Sequence, residues 1–466
     1  MKKADLVFVP SPGMGHLVST VEFSNLLLQR DEELSIIVLV MEEGKEHIPR
    51  LATHANICFI ELPHVELPPD ELMIKCIEKY RAEAVEAHKD CVKEAIVKKV
   101  LPNSPKLLGL VVDLFCSSMI DVANELGLPS YLFFTSGVSF LGFTLYLSYR
   151  FDRVGREFEE SDPESIVPGY INPVPANVMP NFAFNIDGYI SFANHGRKFR
   201  ETKGIVVNSF LDLESHAVSS LSTHDLPPIY TVGPLINHKN ENTMQSNNQS
   251  QHDEIMRWLD EQPPSSVVFL CFGSRGYFGV PQLKETALGL ERSGHRFLWS
   301  IRIASKGKSP RPNEDIDPKT ILPEGFLDRT KGRGYVCGWA PQVEVLAHKA
   351  VGGFVSHCGW NSILESLWFG VPILTWPLYA EQQINAFQLV KDLGLAFELR
   401  LDSRRFSDEI VKSDEIANAV KCLMEEDSEV RKRVKDISVK SRKAMIAGGN
   451  SYASVGQWVE AMLASN

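Results

Sequence analysis

Short apolar runs alternate with longer helical patterns along nearly the whole chain, and this alternation confines it to parallel sheets built from strand–helix–strand units. In the first half, strands are read at Asp5–Pro10, Ser35–Val40, Ile57–Glu61, Leu108–Asp113, Ser130–Phe134, Gly204–Val207 and Ile229–Val232. Between Phe151 and Pro180 the prolines at 163, 168, 173 and 175 make the chain irregular, a surface loop. The stretch from Ile236 to Gln251 has almost no apolar content and reads as a linker. A second alternation follows it, in SSVVFLCFGS, RFLWSIR, GYVCGW, GGFVSHCG, VPILTW and LAFEL. The expected architecture is α/β, with two Rossmann-like doubly wound domains facing across a cleft: residues 1–235, a linker over 236–252, and 253–447. After Gly448-Gly449, Val455, Trp458, Val459 and Met462 recur at helical spacing, so residues 448–466 are expected to form an amphipathic helix that docks on the first domain.

Composition removes several classes of function. Apolar residues make up 44% of the 466 and charged ones 23%, a globular balance. A net charge of -11 repels a polyphosphate held by charge alone, which argues against nucleic acid. The longest apolar stretch, Tyr131 to Tyr149, is interrupted by Thr135, Ser136, Gly137 and Ser139, short of the roughly 18 residues a membrane helix needs. Pro10 and Pro12 end the first apolar run before it reaches the length of a signal sequence. The eight cysteines contain no C-x-x-C pair, which suits free thiols in a reducing compartment, and a soluble, cytoplasmic protein without an obligate protein partner is expected.

Two places carry candidate chemistry. The first is the turn Ser11-Pro12-Gly13-Met14-Gly15-His16. It has three readings: the start of a dinucleotide fingerprint with Glu42 or Glu43 as the ribose acid, a strand–helix turn capped by His16, or a cleft that presents His16 as a base. Val18 stands where the third fingerprint glycine would fall. As a base, His16 needs an acceptor on its other nitrogen, and Asp113 ends an apolar strand where it could supply one; otherwise Asp113 caps a helix from Cys116. The second place is Trp339 to Gln382. There a strand ends at the Cys358-Gly359 turn and a helix begins near Trp360, offering free N–H groups to a diphosphate, with His357, Asn361 and Ser362 as further donors. The competing reading is that Ser362 and Glu365 form a capping box. Asp315-Ile316-Asp317 spells a metal-binding D-x-D, but no apolar strand precedes it and it is read as a solvated loop, so no metal is expected.

The stretch Trp339–Gln382, and HCGWNS at 357–362 above all, resembles the signature box of plant secondary-product UDP-glycosyltransferases. The resemblance takes in His16, Asp113, GPL at 233–235 and FGS at 272–274. It implies the GT-B architecture, with an acceptor domain followed by a donor domain. It also implies that Trp339 stacks on uracil beside Ala340, that Gln342 reaches the nucleoside, and that Glu365 binds the ribose. His357, Asn361 and Ser362, with Gly359 and Trp360, would hold the diphosphate under Ser274, and the sugar would lie by Tyr379, Glu381 and Gln382. In the family a glutamine at the position of Gln382 accompanies glucose, and Thr135 resembles a residue that reaches the donor sugar. Arg275 departs from the usual apolar residue. The implied activity is inverting, metal-independent transfer of glucose from UDP-glucose to a hydroxyl of a small lipophilic, phenolic acceptor, with UDP-glucose as donor substrate and no cofactor. Another UDP-sugar, or binding without transfer, is the alternative.

Overall fold

The computed structural model describes residues 4–42, 48, 54–222, 225–237, 246–302, 318–404 and 409–464. The chain forms two compact units: one from residues 1–176, 181–237 and 443–466, the other from 177–180 and 238–442.

The first unit is built on seven parallel strands: β1 (Ala4–Val9), β2 (Leu34–Val40), β3 (Ile57–Glu61), β4 (Leu107–Asp113), β5 (Ser130–Phe134), β6 (Ile205–Val207) and β7 (Ile229–Thr231). They lie in the order β3-β2-β1-β4-β5-β6-β7. β1, β4 and β5 are buried along their whole length, which is why they read as unbroken apolar runs rather than alternating ones. The second unit has six, β8 (Val267–Cys271), β9 (Arg296–Ser300), β10 (Gly334–Cys337), β11 (Val351–Ser356), β12 (Ile373–Thr375) and β13 (Ala396–Glu398), in the order β10-β9-β8-β11-β12-β13. Each order reverses once, between β1 and β4 in the first sheet and between β8 and β11 in the second. Such switch points open a crevice at the carboxyl ends of the strands.

The helix Asn450–Ala464 belongs to the first unit. Val455, Trp458 and Met462 join its core, and the Trp458 ring lies 5.5 Å from both Phe23 and Tyr131. Ser451 Oγ donates to the Gly233 carbonyl at 2.6 Å.

Of the polar stretch read as a linker, residues 238–245 lie outside the described residues, and the rest after them is not irregular. A helix begins at Ser246 and runs to Asp260, so 246–252 is helical. Ile255 and Leu259, four residues apart and fully buried, anchor its later turns, while Gln249 Nε2 bonds Asp253 at 2.9 Å one turn earlier. A two-residue apolar anchor this far along is invisible in the composition of the preceding stretch. All eight cysteines are free thiols; Cys58 and Cys422 are exposed. No described helix is long and apolar enough to cross a membrane.

Candidate active site

At the first switch point, β1 runs into the turn that starts the helix Met14–Arg30. Gly13 precedes that helix with φ +124°, a conformation closed to other residues, and the sharp exit puts His16 in the first turn. His16 Nδ1 lies 2.9 Å from Asp113 Oδ2 at the end of β4, and Thr135 Oγ1 is 3.2 Å from the same nitrogen. Asp113 is 1% exposed and His16 25%. Ser11 Oγ donates to the other carboxylate oxygen, which also accepts the Phe115 N–H at 3.2 Å. Three donors thus meet a carboxylate that burial alone would penalise, and with Nδ1 donating to Asp113 the Nε2 lone pair of His16 is left as a base.

This geometry argues against the capping readings of both residues. The helix Met14–Arg30 has no side-chain cap, so His16 is not a capping residue. Glu42 pairs with His64 Nδ1 at 2.5 Å, and Glu43 lies outside the described residues. The helix after β4 starts at Met119, beyond Cys116, and the Asp113 carboxylate turns to Phe115, Ser11 and His16 instead of to that helix.

Aromatic rings surround the pair. Phe115 meets His16 edge-on at 5.5 Å and His195 at 6.0 Å, while Phe182 stacks on Phe192 at 3.7 Å. His195 bonds Ser117 Oγ at 2.6 Å, and burial pushes its imidazole down to about 4, so it is neutral at neutral pH. Neither His195 nor Phe192 stands out in the sequence, since each sits in a helical pattern where a buried ring is ordinary. The helix Val138–Val154, which follows Thr135, is held from a distance: Glu214 accepts the N–H groups of Val138 and Ser139 at 2.8 and 2.9 Å.

At the second switch point, the loop after β8 meets the turn after β11. A methyl group on Gly273 or on Gly359 would come within 2.6 Å of His357 Nε2, so glycine at both places lets the backbone close around the imidazole. Burial, with the Arg302 charge nearby, pushes His357 down to about 4. Its Nδ1 is buried and without a partner, as is Asn361 Oδ1 in the first turn of the helix Trp360–Phe369. Gly359 is the N-cap of that helix and makes no side-chain cap bond. The capping-box reading therefore fails, because Ser362 lies three residues inside the helix and not at its cap. Ser362 Oγ instead accepts from Gln342 Nε2 at 2.8 Å, and Glu365 Oε2 accepts from the same nitrogen at 2.6 Å. Desolvation raises the Glu365 carboxyl to about 7 against the opposing pull of the Gln342 bond.

Around these, Trp339 and Ala340 are buried just after β10, and the Tyr379 ring lies 6.4 Å from His357. Trp360 is buried, and Glu381 precedes the helix Gln382–Phe387. Gln382 opens that helix. Its Oε1 accepts the Leu378 and Tyr379 N–H groups at 2.9 and 3.0 Å, so the amide nitrogen, and not the carbonyl, remains for a ligand. Ser274 is exposed and its carbonyl takes the Arg302 guanidinium at 2.7 Å, while Arg275 is exposed. Asp315-Ile316-Asp317 lies outside the described residues. Among the described residues, no group of three His, Cys, Asp or Glu side chains is placed to hold a metal.

Residues 234–439 match the family described as UDP-glucoronosyl and UDP-glucosyl transferase. The chain is 48% identical over 475 residues to UDP-glucose flavonoid 3-O-glucosyltransferase 6 of Fragaria ananassa, covering 99% of each chain. It is 47% identical to anthocyanidin 3-O-glucosyltransferase 1 of Manihot esculenta, over 97% of this chain and 100% of that one. The crystal structure of Medicago truncatula UGT71G1 complexed with UDP-glucose superposes with a TM-score of 0.90 at 47% identity, covering 99% of this chain and 98% of the other. Identity of this order along the full length carries both Rossmann-like α/β units, the GT-B fold and the glycosyl-transfer activity with it: the chain belongs to the plant family 1 UDP-glycosyltransferases.

Proposed function

We propose that this glycosyltransferase moves glucose from UDP-glucose to a phenolic hydroxyl of a small flavonoid-like acceptor, with inversion and without a metal. The observation that carries the reading is the 2.9 Å contact between His16 and the saturated Asp113 carboxylate. His16 Nε2 takes the acceptor proton as the oxygen attacks the anomeric carbon; the bond from that carbon to the diphosphate breaks, and UDP departs from the opposite face. The proton ends on His16, whose imidazolium Asp113 stabilises, and the α-linked donor becomes a β-glucoside. Trp339 and Ala340 take the uracil, Gln342 and Glu365 the nucleoside, and His357, Asn361 and Ser362 the diphosphate, with the start of the helix Trp360–Phe369 offsetting the charge of the leaving group. Glu381 and the Gln382 amide nitrogen face the sugar hydroxyls. Flavonoid and anthocyanidin acceptors are favoured by the names of the two plant relatives and by the rings around His16. The free thiols suit work in the reducing cytosol.

The test is mass-resolved product formation from UDP-glucose in the presence of a chelator, against flavonols, anthocyanidins and simple phenols. A product heavier by one hexose, lost in His16→Ala, is the expected result. Product only when a divalent metal is restored, or undiminished product from His16→Ala, would overturn the mechanism.

A further inference from the structure

We infer that Asn385 is a positioning residue for the donor diphosphate, an inference that rests on the donor-site reading above. Cys358 holds φ +62°, a left-handed conformation that a residue with a side chain adopts only when its surroundings impose it. Both of its peptide groups are fixed. Ser356 Oγ accepts its N–H at 3.1 Å, and Asn385 Nδ2 donates to its carbonyl at 3.1 Å. The turn so imposed carries His357 on one side and Gly359, the N-cap of the helix Trp360–Phe369, on the other. His357 is 6% exposed, with Nδ1 buried and unpartnered, so a small rotation of this turn would move both the waiting imidazole and the free N–H groups of the helix.

Asn385 itself is 1% exposed and lies in the helix Gln382–Phe387, three residues after Gln382, whose Oε1 ties down Leu378 and Tyr379. One short helix thus braces the diphosphate turn from one residue and orders the approach to the sugar from another. The nucleoside residues Trp339, Gln342 and Glu365 make no described hydrogen bond to Asn385. The brace is therefore specific to the phosphate end of the donor.

Calorimetric titration of the whole protein with UDP, beside a ligand-observed magnetic resonance titration with uridine, separates this role from a merely structural one. In Asn385→Leu and in the smaller Asn385→Ala, UDP should bind about tenfold more weakly, the effect of one lost hydrogen bond, with uridine within about twofold of wild type. The Ala variant removes the donor without adding bulk or charge and preserves the test if the Leu variant does not fold. Wild-type binding of UDP with unchanged variants, or loss of uridine and UDP affinity by the same factor, would overturn the inference alone. Failure of the wild type to bind UDP would overturn the donor-site reading and this inference with it.

Discussion

The two switch points solve opposite problems with the same topology. At the first, Asp113 has its oxygens engaged by Ser11, Phe115 and His16, so the pair is held by the protein's own contacts. At the second, His357 Nδ1 and Asn361 Oδ1 are buried with hydrogen-bonding capacity unused. A buried polar atom without a partner costs about 1–3 kcal/mol, and a ligand that supplies the partner recovers it. On the proposed mechanism the His16–Asp113 pair is preorganised for proton transfer, whereas the second switch point holds buried polar atoms in reserve for a ligand.

The largest break in this contrast should come from His16→Ala. Turnover is expected to fall by about a thousandfold or more, in the range of general-base deletions, while the UDP affinity measured by calorimetry stays unchanged. Asp113→Asn should cost about a hundredfold in kcat, and combining it with His16→Ala should add little further loss, because the pair acts as one unit. Full additivity in the double variant would separate the two residues. Asn361→Ala sharpens the other side. Removing an unsatisfied buried group should leave Tm unchanged or slightly higher while UDP binds about tenfold more weakly, and a drop in Tm would show that the atom is satisfied within the free protein.

The smallest effect concerns pH. Glu365, raised to about 7 from the ordinary carboxylate value, is protonated over part of the neutral range, and on the proposed donor-site reading its ionised form is the stronger acceptor for the ribose hydroxyls. UDP-glucose affinity should therefore rise severalfold as pH increases from about 6 to 8, and Glu365→Gln should flatten the profile. Stability runs the other way. A carboxyl whose folded value exceeds its unfolded value contributes stability at low pH, lost as pH rises from the unfolded value of 4.5 through about 7. Thermal melts of the wild type and Glu365→Gln across that window check the sign.

The strands were legible as short, mostly apolar runs: β1, β4 and β5 because they are buried on both faces, and the partly exposed edge strand β3 because it keeps the same character. Ile57–Glu61 and Ser130–Phe134 agree to the residue, and β1, β2 and β4 to within one. What remained hidden acts across long stretches of chain. Ser11 reaches Asp113 over 102 positions, and Asn385 reaches Cys358 over 27. No local pattern marks either side chain as a brace. Ser362 and Glu365 show the converse failure: an i, i+3 polar pair matches a capping box, but the pattern does not say which residue is the cap, and Gly359 takes that place. At Gln382 the sequence is silent on orientation, since two backbone N–H groups decide which end of the amide is free.

The helix Asn450–Ala464 completes the core of the first unit although Ser451 bonds to Gly233 across 218 positions. During synthesis the first sheet therefore emerges early but waits for its closing tryptophan until the whole second unit has been translated. Trp458 covers Phe23 and Tyr131, so the unit that begins first is finished last.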